Sequence, residues 1–110
     1  MSDMNNALDT IMGALLESNE SIEALAHVLS ELAQARAKHP QWPVDVIHAA
    51  AILAEEAGEV VKAALDMTYD GGSVEDVRTE LAQTGAMCLR MLVNLGWEET
   101  RPEQELEVGR

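Results

Sequence analysis

If residues 44–68 are helical, His48, Glu55, Glu59, Lys62 and Asp66 share one narrow stripe, with Glu56 at its flank. A second stretch repeats the design, with Asp76, Glu80, Gln83 and Asn94 on one side of a helix over residues 74–95. Both helices are otherwise apolar. Bringing two such acidic strips together raises carboxylate pKa values unless a cation lies between them. Oxygen donors with no thiolate among them suit a hard cation such as Mg²⁺ or Mn²⁺. The competing reading is a solvated face, with Glu55 and Glu59 moderated by Lys62 at helical spacing.

The elements that must position these residues follow from punctuation and periodicity. Leu8, Ile11, Met12, Leu15 and Leu16 predict a short helix over residues 1–18, and Ser18-Asn19-Glu20-Ser21 offers a break and caps. Ile22, Leu25, Leu29 and Leu32 predict an amphipathic helix over 22–38, stopped by Pro40 and Pro43. Pro43 sits near the first turn of the third helix, 44–68, and Asp70-Gly71-Gly72 ends it in a turn. Ser73 and Asp76 cap a fourth helix, 74–95, which Gly96 terminates.

On the third helix Ile47, Ala51, Ala54, Gly58, Val61 and Leu65 lie within about 80° of one another. Ala50, Leu53, Ala57, Val60 and Ala64 widen that surface past half the circumference, which predicts a mostly buried helix. Small residues at 51, 54 and 58 would let another backbone approach closely. On the fourth helix Leu81, Ala82, Met87, Leu89, Leu92 and Val93 fill the apolar remainder. Two such helices need more cover than the N-terminal pair supplies, so the chain is expected to form a homo-oligomer.

Composition agrees with an all-α class. Apolar residues make up 47% of 110, Phe is absent, and two Trp and one Tyr are the aromatics, which favours helices over strands. Seven Lys and Arg against twenty Asp and Glu give a formal charge of −13, which opposes binding to nucleic acid or to anionic membrane. A single cysteine, Cys88, and the lack of a basic-then-apolar leader or of roughly 20 apolar residues in a row fit a cytoplasmic protein. The expected organisation is one domain over residues 1–97, followed by an acidic flexible tail over 98–110.

The decad Ile52-Leu53-Ala54-Glu55-Glu56-Ala57-Gly58-Glu59-Val60-Val61 resembles the first metal-binding helix of the MazG-like family, within the all-α nucleoside triphosphate pyrophosphatase superfamily. The family pattern is Glu-x-x-Glu on one helix and Glu-x-x-Asp on the next. Glu56 and Glu59 match the first pair and Glu80 begins the second, whereas Gln83 stands where the family has Asp.

The resemblance implies a four-helix-bundle-like MazG-type fold, assembled as a homodimer or a dimer of dimers. It implies a Mg²⁺-dependent (Mn²⁺ possible) nucleotide pyrophosphohydrolase that converts a (deoxy)nucleoside triphosphate to monophosphate and pyrophosphate. Glu56, Glu59, Glu80 and Gln83 would then be the metal ligands, with Glu55 a supporting group or the base that orients water. Glu56 and Glu55 are the expected catalytic pair. Gln83 brings a carbonyl but no charge, so the alternative is a non-catalytic relative that binds nucleotide or metal. For substrate binding the candidates are Trp42, His48, Lys62 and Asn94. Trp42, beside His39, either stacks on a base or plugs the core beneath the proline loop. His48 either contacts phosphate or pairs with a carboxylate. Lys62 either contacts phosphate or balances Glu59 or Asp66.

Overall fold

Capping chemistry sets where the long helices begin. The Asp45 carboxylate accepts a hydrogen bond from the Ile47 N–H (2.8 Å), and the Ser73 hydroxyl accepts one from the Asp76 N–H (3.1 Å). Each satisfies a donor that the first helical turn leaves unpaired. The computed structural model describes residues 2–17 and 19–96, and among these it contains four α-helices and no strand. They are α1 (Ser2–Glu17), α2 (Asn19–Lys38), α3 (Val46–Tyr69) and α4 (Val74–Leu95). No helix among the described residues is long and apolar enough to cross a membrane. The expected tail, 98–110, lies outside the described residues, as do Ser18 and Trp97.

Two boundaries differ from the sequence expectation. Helix α2 already begins at Asn19, so residues 19–21 are helical instead of forming a break. Pro43 precedes α3 and does not enter its first turn, because Asp45 takes the capping position. The α3–α4 connection is as expected. Gly71 adopts φ +75°, which residues with a Cβ disfavour, and the Gly72 N–H returns to the Asp66 carbonyl at 2.9 Å.

Helix α4 is the centre of the packing. It lies against α3 on one side and α2 on the other, while α1 touches only α2. The arrangement is bundle-like, with a thin core. The buried apolar residues are Leu32, Ala49, Ala63, Ala82 and Ala86. Alanines let helices come close but remove little apolar surface from water. Half-buried Val28, Ile52, Leu53, Val60, Val77, Met87 and Leu89 complete the contact surfaces.

The inward arc of α3 runs through Ala49, Ile52, Leu53, Glu56, Val60 and Ala63. The arc through Ile47, Ala51, Ala54, Gly58, Val61 and Leu65, expected to be buried, faces away from the other described residues. Ile47 is 76% exposed and Val61 59% exposed, and no atom would lie within 4 Å of a Cβ added at Gly58. Leu81, Leu92 and Val93 on α4 are likewise exposed. Counting residues around a helix finds apolar arcs correctly but cannot say which of two arcs the chain covers by itself.

Candidate functional site

The inward position of Glu56 brings the two acidic stretches together. Partial burial raises the pKa of its carboxyl above the ordinary value, and the charges of Glu80, Glu59 and Glu55 raise it further, in that order. Glu80 reaches it from α4, so the α3–α4 seam converges on this side chain. Glu80 and Gln83 are half-buried beside it, whereas Glu55 and Glu59 are exposed on the outer flank of α3.

Glu56 and Gln83 both open onto a cavity of about 580 Å³ enclosed by α2, the 39–43 segment, α3 and α4. Its apolar walls include Ile52, Met87 and Trp42. Gln34, Gln41 and Gln83 contribute amides, and Glu31, Lys38 and Arg90 contribute charges. A volume of this size suits a small organic ligand, and amides beside an aromatic wall can read a heterocycle by its edge. A second cavity of about 600 Å³ lies between α2 and the start of α4, lined by Glu20, Glu23, His27, Glu75 and Arg78. It is remote from the convergent carboxylates and offers no aromatic wall.

The other expected binding residues are more dispersed. Trp42 is half-buried and lies against the Arg90 guanidinium, 5.0 Å from ring centroid to Cζ, so one face of the indole is already covered. Trp42 thus packs beneath the loop and also forms part of the cavity wall. His48 and Lys62 are exposed on α3. Among the described residues the ion pairs are His27 with Glu31 and Arg78 with Glu75, so the expected pairings of Lys62 and of His48 with carboxylates are not formed. Asn94 donates to the Arg90 carbonyl of its own helix (2.7 Å) and faces a smaller cavity of about 230 Å³ with Trp42, Val46 and Met91. That places it apart from Glu56 and Gln83.

Arg90 is the functional candidate that counting along the chain overlooked. It is 4% exposed, the one charged residue buried among the described residues. Its Nη1 donates to the Ala35 carbonyl (3.3 Å), and its Nη2 donates to the carbonyls of His39 and Gln41 (3.4 Å to the latter). The signal was present: Arg90 interrupts the apolar run from Ala86 to Val93. A buried guanidinium needs partners fixed in space, and here they are carbonyls and a π face.

The donor chemistry at Glu56 fits a hard divalent cation, since the groups around it are oxygen donors and their summed negative charge already disfavours one more anion. Among the described residues no three acidic, His or Cys side chains are grouped closely enough to hold a metal by themselves. Mg²⁺ does not require that, because it commonly takes one or two carboxylates and completes its shell with waters and substrate phosphates. No family model matches the chain, and no curated protein or solved structure matches it either.

Proposed function

We propose that the chain is a Mg²⁺-dependent nucleotide pyrophosphohydrolase that cleaves a (deoxy)nucleoside triphosphate to monophosphate and pyrophosphate. The observation that carries this reading is the meeting of Glu56 with Glu80 across α3 and α4, with Glu56 itself on the wall of a cavity sized for a small ligand. The resemblance of residues 52–61 and of Glu80 to the MazG-like motif points the same way.

Glu56 and Glu80, with the Gln83 carbonyl and the more exposed Glu59, are the groups that would hold the cation. When bound, Mg²⁺ supplies charge neutralisation for the phosphates and a Lewis acid for the scissile phosphoanhydride. Glu55 sits one residue from Glu56 on the exposed flank and is suited to orient water. Trp42, Ile52 and Met87 give the organic part of the substrate an apolar wall, and Gln34 and Gln41 offer donors and acceptors to its edge. His48 and Lys62 have room to reach a phosphate, as both are exposed and neither forms an ion pair among the described residues. Asn94 has no part in this arrangement.

A second reading is favoured by one specific observation. Gln83 faces the cavity where a further carboxylate would strengthen cation binding, and this neutral amide suits a non-catalytic module that binds nucleotide or metal. In either reading the partner is a small molecule together with further copies of the chain, as a homodimer or dimer of dimers.

One assay separates the two. The purified protein is offered each ribo- and deoxynucleoside triphosphate with Mg²⁺, then Mn²⁺, and monophosphate and pyrophosphate are followed. The enzyme reading expects metal-dependent pyrophosphate from one or a few nucleotides, lowered at least 100-fold by Glu80→Gln. Saturable nucleotide binding with no product from wild type leaves the module, and full turnover by Glu80→Gln removes the seam from the chemistry.

A further inference from the structure

Between Lys38 and Val46 the chain has no regular structure and contains Pro40 and Pro43, neither of which can donate a backbone hydrogen bond. Trp42, which walls the cavity, is carried by this segment. The His39 N–H donates back to the Ala35 carbonyl of α2 (2.8 Å); among the described residues, the other hydrogen bonds that tie residues 39–43 to a helix come from Arg90 of α4. The same guanidinium donates to Ala35 in the last turn of α2, where a helix end presents partial negative charge, and covers one face of Trp42. One buried side chain therefore links α2, the segment and α4, and among the described residues no carboxylate is paired to it.

We propose that Arg90 is the positioning residue of the cavity: its fork, held to three backbone carbonyls and set over the Trp42 ring, fixes the 39–43 segment as a preformed wall for the ligand. The planar guanidinium is what makes this possible. An ammonium is a point charge that cannot hold carbonyls in a fork while also sitting over an indole. A preformed wall spares the ligand the entropy of ordering the segment, so losing it weakens substrate binding more than turnover. The proposal deepens the nucleotide reading and rests on it for the kinetic arm, while its structural arm stands alone.

The test compares wild type, Arg90→Met and Arg90→Lys. Hydrogen exchange at the His39 amide, which is bonded to the Ala35 carbonyl, is measured without ligand, and KM and kcat with the nucleotide found active. Arg90→Met is expected to speed exchange in the segment at least tenfold, leave exchange in the middle of α3 unchanged, and raise KM tenfold or more with kcat within threefold. Arg90→Lys is expected to fall between, and it answers the question if the methionine variant does not fold. Unchanged exchange in the segment overturns the proposal, and so does an equal loss across all helices, which would make Arg90 a general core residue. Should wild type turn over no nucleotide while the segment still loosens in the variants, the positioning role is upheld and the nucleotide reading falls.

Discussion

Charging Glu56 is unfavourable for two separable reasons, its partial burial and the three carboxylates around it, of which Glu80 acts most strongly. A carboxyl whose folded pKa lies above its unfolded value of 4.5 binds protons more tightly in the native state. Between those two pKa values stability therefore falls as pH rises, and above the folded pKa the full penalty is present. Glu56→Gln should remove it. The variant is expected to melt a few degrees above wild type at pH 7, and the gap should close as pH falls toward 4.5. A divalent cation reverses the comparison, because it stabilises the state that binds it. Mg²⁺ should raise the melting temperature of wild type and leave Glu56→Gln nearly unmoved. Thermal melts at pH 4.5 and 7, with and without Mg²⁺, check both parts; equal melting curves throughout would mean that Glu56 feels neither its neighbours nor the ion.

Between elements, Ala51, Ala54 and Gly58 are the small residues expected to admit a neighbouring backbone, but among the described residues the glycine that meets another helix is Gly85. A Cβ at Gly85 would come within 3.2 Å of Val28 Cγ2 and 3.3 Å of Val28 Cγ1, so α2 and α4 meet there almost backbone to side chain. Valine is stiff at χ1 and yields poorly. Gly85→Ala gains ~1 kcal/mol of helix propensity and loses ~1–3 kcal/mol to overpacking, so net destabilisation of about 1 kcal/mol is expected. Adding Val28→Ala should cancel the overpacking part, and a double-mutant cycle in urea measures it; additive effects would show that the contact is not tight in solution. The helices themselves were legible, because caps and breakers act within a few residues: Ser73, Gly71 and Gly96 do what their types predict. The α3–α4 pairing of Glu56 with Glu80 was legible from the repeated acidic strips. The inward arc of α3 was not, since its apolar surface spans more than half the helix and two arcs compete for the core. Arg90 escaped for a different reason. Arginine is usually solvated, and its buried role depends on carbonyls some 50 residues away in sequence, which no local pattern encodes.

For the whole molecule, the question is what covers the outer arc of α3. The chain's own core is mostly alanine, while Ile47, Val61 and Leu65 on that arc stand in water together with Met4, Leu8 and Met12 of α1. Large apolar side chains left exposed along a helix face normally mark an interface, and a second copy is the partner the homo-oligomer reading supplies. The chain's charge of −13 opposes self-association, so affinity should rise with salt as repulsion is screened. Light scattering is expected to give a dimer or larger, and Ala54→Glu, which sets a charge in the middle of the arc, a monomer. Gly58 offers a test by sign. In a solvated helix Gly58→Ala stabilises by ~1 kcal/mol, because nothing among the described residues is near enough to obstruct a methyl group. Against a closely packed partner the same methyl group is an obstruction. Gly58→Ala should therefore lower the melting temperature in the wild-type background and raise it in the monomeric Ala54→Glu background. A rise in both backgrounds would mean that the arc faces solvent in the native protein, and that the surplus apolar surface is covered by something other than a second copy.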